Sequence, residues 1–518
     1  MYSTITSGAV CGCHSYLVQV EVDISQGLPC FVMVGRLGGE VRESGERVRI
    51  ALKNAGIHLP PRHIAVNLSP ADIKKTGTAF DLPVAAAVLL SMGRIPKEQV
   101  RETLFLGELG LNGEIRPVSG VLPIVKTARE QGVRRCLIPK QNEREAGIIT
   151  DMKVVGVSSI LQVIEYLQKE PHAQDLFLPP FCGPQNCEER ENEDKIPDFS
   201  EVAGQESLKR AAVIAASGFH NMLLMGPPGS GKTMIAKRIP YILPPLSPKE
   251  SLEVSSIYSI AGKLDENHPF ITRRPFLDPH HTVSPQALTG GGLKPGPGII
   301  SLSHRGVLFL DELAEFKRQT LDSLRQPMEE RQVRIGRSSG TFTYPADFML
   351  IGAMNPCPCG YYPDRNRCRC TPGEIHRYLY HVSGPILDRM DLCIKVPRVE
   401  LGQLQSRRKG PSSSQMREQV MKARQRQHQR YLGTGFRFNV DLGAGDMEQY
   451  CALGKKEQSM LENMFHTLNL SARAYHRMLK VARTIADVEG SEEIRSEHLA
   501  EASCYYGTGE EVFFGENT

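Results

Sequence analysis

The chain of 518 residues predicts an α/β protein in several units: a central parallel sheet, a smaller α+β unit before it and an all-helical segment after it. Three observations predict this. Residues 198 to about 397 alternate apolar strands with helical stretches, the pattern of a parallel sheet covered on both faces. From about residue 400 the strand-like runs vanish, and 415–431, 455–468, 472–488 and 496–504 carry helical spacing. Residues 1–170 alternate short strand-like runs with helical stretches. A chain this long also exceeds one ordinary core, so two to four domains are expected, on the order of 100–200 residues each.

Taken in order, residues 17–22 alternate apolar and polar side chains, as a half-buried strand does. Residues 44–55 have helical spacing and stop at Gly56. Residues 105–109, 136–139 and 154–157 predict further short strands. Proline followed by a charge run makes 171–197 a linker. Cys182 and Cys187 in it are expected to be exposed thiols. The expected domains are 1–170, 198–398 and 399–506, with 507–518 a tail, and residues 407–413 form a polar link. No internal repeat is visible.

The net charge of +4, from 62 basic and 58 acidic residues, neither demands nor excludes nucleic acid. The N-terminus has no basic or apolar leader, so it does not read as a signal peptide. The longest apolar run, 82–92, contains Pro83 and is about half a membrane span. No membrane association and a cytoplasmic location are expected. The thirteen cysteines then read as thiols or metal ligands, not as a disulfide framework.

A short apolar strand at 221–225 runs into Gly226-Pro227-Pro228-Gly229-Ser230-Gly231-Lys232-Thr233, and a helical stretch follows. This is G-x-x-x-x-G-K-[ST] in its strand-loop-helix context, the signature of a phosphate-binding loop for ATP. The glycines allow backbone N–H groups to face the phosphates. Lys232 supplies charge to the β and γ phosphates, the Thr233 hydroxyl holds Mg²⁺, and the helix N-terminus adds its dipole. A second strand, 307–310, ends in Asp311-Glu312. Asp311 is placed to hold Mg²⁺ opposite Thr233, and Glu312 to polarise the attacking water. Such a pair alone is a common solvated strand end; its place downstream of the phosphate loop gives it meaning. A third strand, 348–354, ends in Asn355, which either orients that water or forms a turn before Pro356.

Several stretches carry a resemblance. Leu288-Thr289-Gly290-Gly291-Gly292, residues 306–313, Met354-Asn355-Pro356-Cys357-Pro358-Cys359-Gly360, residues 383–391 and residues 471–477 resemble the ComM/YifB family of magnesium-chelatase-like AAA+ ATPases. The resemblance covers about 5–505. It implies a AAA+ phosphate-loop core with a helical lid, working as a homo-hexameric ring with ATP between subunits. It also implies that Asn355 is the sensor-1 residue, Arg389 the arginine finger and Arg473 the sensor-2 residue. Without it, Arg389 reads as a salt bridge to Asp388 or Asp391, and Arg473 as a solvated helix start.

Cys357, Cys359, Cys368 and Cys370 place four thiols within fourteen residues, a set that fits tetrahedral structural Zn²⁺. The alternative is a surface loop of reduced or redox-sensing thiols. Residues 361–367 are polar and turn-like, so a metal staple is expected to order them.

The N-terminal unit resembles the proteolytic domain of Lon-type proteases over 107–118 and 136–139. Those enzymes use a Ser-Lys dyad. Here 77–82 contains no serine, the expected lysine falls near Leu122, and Lys126 lies one helical turn away. The unit is therefore expected to bind or scaffold. Between Thr233 and Asp311 lie 77 residues, too many for a direct strand-helix-strand passage, which the resemblance makes an insert in the second helix. Residues 333–344 predict a hairpin whose Arg334 and Arg337 either meet DNA phosphates or face water. His280 and His281 read as solvent-facing. Residues 417–430 predict a basic helix face. The function expected is an ATP-dependent motor on DNA, with branch migration or helicase activity in recombination of incoming DNA. The alternatives are a magnesium-chelatase motor subunit and an ATP-dependent protein-remodelling scaffold.

Overall fold

A computed structural model of the chain describes residues 1–168, 197–292, 295–337, 340–398 and 410–507. Residues 171–196 of the expected linker, with Cys182 and Cys187, the 507–518 tail beyond its first residue, and 407–409 of the 407–413 link lie outside these residues.

A five-stranded, wholly parallel sheet lies at the centre, in the order Phe276–Leu277, Val307–Leu310, Met349–Met354, Met222–Met225, Leu392–Lys395. Its strands are continuous apolar runs because both faces are covered. Met222, Leu224, Val307, Phe309, Met349 and Ile351 feed the core on one face. Leu223, Met225, Leu308, Leu310 and Leu350 feed the core on the other.

The helix Ser413–Arg430 starts at a capping box: Ser412 Oγ accepts from Gln415 N at 3.2 Å, and Gln415 Oε1 from Ser412 N at 3.0 Å. It buries Met416, Val420, Ala423 and Gln427 at helical spacing. With the helix Ala472–Glu489 it completes the first sheet-face core. The expected basic face is only partly there. Arg424 is covered and stacks over Phe438 at 3.7 Å. Arg426 donates to Asp487 O at 2.7 Å, and Arg430 pairs with the Asp487 carboxylate. Of the basic residues in this helix, Arg417 and Lys422 are the fully exposed pair with long side chains.

The N-terminal residues form a seven-stranded mixed sheet, ordered Cys30–Val34, His63–Ser69, His14–Ser25, Tyr2–Cys11, Thr103–Phe105, Arg135–Pro139, Lys153–Val157. The strand expected at 105–109 breaks at Gly107, whose φ is +158°. This unit meets the central one through a buried carboxylate. Glu145 accepts from Leu122 N at 3.0 Å, Asn142 Nδ2 at 2.9 Å and Ser259 Oγ at 2.5 Å. Burial pushes its carboxyl up, and these three donors partly offset that. Cys13 N also donates to Thr343 O at 3.2 Å, on the hairpin Gln332–Arg337/Gly340–Pro345.

Asp487 is the polar centre of the C-terminal helices. Its side chain is 0% exposed and takes Arg430, Arg483 at 3.2 Å and Asn439 Nδ2 at 2.9 Å. Burial favours a neutral guanidine at Arg430, but the Asp487 carboxylate outweighs it and holds the charged form. Asp487→Asn strands two guanidinium groups without their counter-ion, which costs about 3–5 kcal/mol at a buried pair. Urea unfolding followed by circular dichroism should show the helical part melting at lower denaturant; an unchanged midpoint would contradict this role for Asp487.

Candidate functional site

The phosphate loop leaves the buried strand Met222–Met225 and enters a helix at Lys232. Gly226 has no room for a side chain, since a Cβ there would lie 2.3 Å from Val396 O. Gly229 and Gly231 turn the chain at φ of +72° and +90°. The helical stretch expected after the loop is the helix Lys232–Ala236, of five residues. Its dipole is correspondingly small, so the backbone N–H groups of the loop carry most of the anion attraction.

Lys232 folds back onto its own loop. Its Nζ donates to Gly226 O at 2.7 Å, Pro227 O at 3.0 Å and Asn355 Oδ1 at 3.2 Å. Burial lowers its pKa, and the nearby Asp311 carboxylate opposes that. Thr233 Oγ1 donates to Asp311 Oδ2 at 2.7 Å. A hydroxyl on one strand's loop and a carboxylate at the next strand's end thus converge, as two protein ligands of Mg²⁺ must. Ser230 Oγ and Gln205 Oε1 are buried without a partner, while Gln205 Nε2 donates to Ser230 O at 2.5 Å. The donors of this cradle, the orphaned Ser230 hydroxyl among them, and the Thr233–Asp311 pair fit a nucleotide polyphosphate with its magnesium.

Glu312 stands next to Asp311 in a left-handed conformation, φ +51°. Such a backbone is strained for a non-glycine residue, and strain of this kind collects at functional sites. Its Oε2 lies 3.3 Å from His281 Nδ1. Against the expectation that it faces water, His281 is 31% exposed, edge-on to Phe316 and beside the carboxylate meant to polarise water. The contact joins residues thirty-one apart, which spacing alone does not reveal.

Arg389 and Arg473 come together, and away from the phosphate loop. Both guanidinium groups bind Glu329 Oε1, Arg473 at 2.9 Å. Arg389 therefore pairs neither with Asp388 nor with Asp391. The Asp391 carboxylate accepts from Asn221 N at 2.9 Å and faces His220 at 3.6 Å. The two arginines line an open cleft of about 570 Å³ with Arg331, His476, Arg477 and Lys480, and no phosphate-loop residue lines it. Glu329 and Arg331 carried no signal in the sequence beyond their charge.

Arg334 and Arg337 are exposed on the strand Gln332–Arg337. Arg334 pairs with Glu330 at 3.2 Å, a surface contact of small energetic value. The residues between the strands, 338–339, lie outside the described residues. Tyr344 OH donates to Pro295 O at 2.9 Å, tying this hairpin to the insert hairpin Gly290–Gly291/Gly296–Pro297.

The four clustered cysteines converge. The Cys357 sulfur lies 3.3 Å from that of Cys359 and 3.8 Å from that of Cys368, and all four lie within 4.8 Å of one another. Four thiolates around tetrahedral Zn²⁺, each at ~2.3 Å, stand about 3.8 Å apart, so the donor set fits that metal. The loop is less bare than its polarity suggested: Tyr361 and Tyr362 pack partly against the second sheet-face core.

Three family models match in sequence. Residues 198–404 match "Magnesium chelatase, subunit ChlI", 20–142 match "Subunit ChlI of Mg-chelatase", and 410–506 match "Magnesium chelatase, subunit ChlI C-terminal". The chain is 41% identical to competence protein ComM of Haemophilus influenzae, over 97% of this chain and 96% of that protein. It is 41% identical to the YifB protein of Escherichia coli, over 97% and 96%. Residues in 28% of the chain are 28% identical to the archaeal Lon protease of Thermococcus kodakarensis, covering 24% of that protein. With such identity along almost its whole length, the chain belongs to the ComM/YifB type of magnesium-chelatase-like AAA+ proteins.

Proposed function

We propose that this protein hydrolyses ATP as a hexameric motor on DNA, driving branch migration or strand separation during recombination of incoming DNA. The observation that carries the hydrolytic part is the 2.7 Å contact of Thr233 with Asp311, beside Lys232 and Asn355. The likeness to a competence protein supports the DNA part. Lys232 leaves its loop carbonyls for the β and γ phosphates, and Asn355 and Glu312 orient the attacking water. Bound Mg²⁺, held by Thr233 and Asp311, neutralises charge on the phosphates. Arg389 and Arg473, remote from their own phosphate loop, serve the neighbouring subunit's nucleotide. The C-terminal helices act as the lid. Arg334 and Arg337 meet DNA phosphates.

The N-terminal unit acts as a scaffold in this reading. Leu122, at the expected lysine position, is buried, and Lys126 is exposed on the following turn. The names of the matching family models favour a second reading, the motor subunit of a magnesium chelatase. DNA separates the two, since a chelatase motor has no use for it.

Lys232→Ala is expected to abolish ATP binding. Glu312→Gln should retain binding and slow hydrolysis by about 10²-fold or more, through loss of water activation alone. Measured turnover equal to the parent's would refute the role of Glu312. Mixing inactive Arg389→Ala with inactive Lys232→Ala subunits should restore ATPase activity, because each supplies what the other lacks; a mixture that stays inert places Arg389 in cis or outside the reaction.

The protein should carry about one Zn²⁺ per chain, held by Cys357, Cys359, Cys368 and Cys370. Elemental analysis of chelator-free protein checks this, and Cys357→Ser with Cys370→Ser should lose the metal.

Replacing Arg334 and Arg337 with Ala should lower the slope of log DNA affinity against log salt by roughly 0.7 to 0.9 per lost phosphate contact. An unchanged slope in a fluorescence-anisotropy titration moves the DNA contact elsewhere. No DNA binding by the parent at low salt favours the chelatase reading.

A further inference from the structure

The four-cysteine loop is not a remote appendage. Asn355, whose Oδ1 accepts from Lys232 at 3.2 Å, is two residues from Cys357. Gly360, between the two cysteine pairs, stacks on the phosphate loop itself. A Cβ on it would lie 2.6 Å from Pro228 Cδ, 2.8 Å from Pro228 Cγ and 3.7 Å from Asn355 Cγ. Gly360 holds φ +83° there, and its N–H donates to Cys357 O at 2.9 Å. Pro228 is otherwise exposed, so the cysteine loop supplies a backing to that side of the cradle.

From this packing we infer that metal occupancy of the cysteine cluster sets the affinity of the phosphate loop for nucleotide. The inference rests on the zinc reading above. With the metal bound, Cys357 and Cys359 are pinned to Cys368 and Cys370. Gly360 is then fixed against Pro228, and Asn355 is fixed toward Lys232. Without it, the four sulfurs have no common partner to hold the two cysteine pairs to one another. The loop between Asn355 and Thr371 then keeps the burial of Cys357 and Cys368, the partial packing of Tyr361 and Tyr362 and a few backbone hydrogen bonds, none of which ties Cys359 and Cys370 together. Its grip on Pro228 loosens, and the phosphate loop must be ordered by the nucleotide alone. Ordering cost of this kind appears directly as weaker binding.

The test compares Mg²⁺·ADP binding by calorimetry to three forms of the full chain. These are zinc-loaded protein, protein stripped under reducing conditions with the chelator then dialysed away, and stripped protein re-supplied with Zn²⁺. Stripping should weaken ADP binding about tenfold, within the usual range for coupled sites, and Zn²⁺ should restore it. By reciprocity, saturating ADP should raise the affinity for Zn²⁺ by the same factor in a competition with a chromophoric chelator. Gly360→Ala, which pushes the loop off Pro228, should keep its zinc and still bind ADP more weakly. Cys504→Ser, an exposed thiol outside the cluster, should behave as the parent. Equal ADP affinity in stripped and loaded protein overturns the inference. So does a Gly360→Ala variant with parental affinity, which remains decisive if the stripped protein fails to stay folded. Protein that takes up no zinc at all defeats the zinc reading itself, and the inference with it.

Discussion

Everything in the central unit depends on the parallel pairing of three strands. Met222–Met225 lies beside Met349–Met354, which lies beside Val307–Leu310, in one register. Parallel strands all present their carboxyl ends at one edge of the sheet, and ligands bind where those ends open. Three chain segments far apart in sequence therefore release Lys232 and Thr233, Asp311 and Glu312, and Asn355 at the same edge. The hydrogen bonds among these side chains follow from that register. Residues at 3 Å cannot be held so by loops alone, because loop ends would move by more than the bond tolerates. The two cores on the sheet's faces are thus part of the site, since they fix the strands that aim it.

Much of this was legible because parallel, doubly covered strands are short unbroken apolar runs. The strands around 222–225, 307–310 and 349–354 announce themselves in that way. The strand Tyr2–Cys11 does not. Its inward positions include Ser3 and Ser7 alongside Ile5 and Ala9, which blurs the alternation. Ser3 is accommodated by donating to Ala87 O at 2.7 Å, a partner no local pattern shows. The helix Asp81–Ser91 is buried nearly all round, so it has no polar face and no helical period to detect. Its apolar run was visible only as something too short to span a membrane.

Charge was the least legible property. The arginines of Ser413–Arg430 look like a solvated basic face in sequence. In the structure Arg424 lies under Phe438's ring, and Arg426 and Arg430 turn to Asp487. Asp487 is 57 residues from Arg430, and only the meeting of the C-terminal turns of two helices brings it there. His281 and Glu312 tell the same story at the phosphate end. Periodicity reports which face of an element is dry. It says nothing of which distant carboxylate waits on that face, so ion pairs escape it while cores do not.

The placement of Glu329 bears on how the proposed motor couples its parts. It is the next-to-last residue of the short helix Arg325–Glu330, and the hairpin with Arg334 and Arg337 starts at Gln332. Between them Arg331 is locked at φ +54° by Asp441 and Asp347. One carboxylate thus holds the two arginines read as serving a neighbour's nucleotide, three residues from the strand read as meeting DNA. A phosphate entering that cleft would compete with Glu329 for the same guanidinium groups, since both are anions on one pair of cations. In the proposed motor, displacing Glu329 would free the helix end that leads into the hairpin, while Arg331 holds the hairpin's base through Asp441 and Asp347. A carboxylate elsewhere would neutralise the arginines equally well, but only one at this point in the chain places their ion pairs at the base of the hairpin.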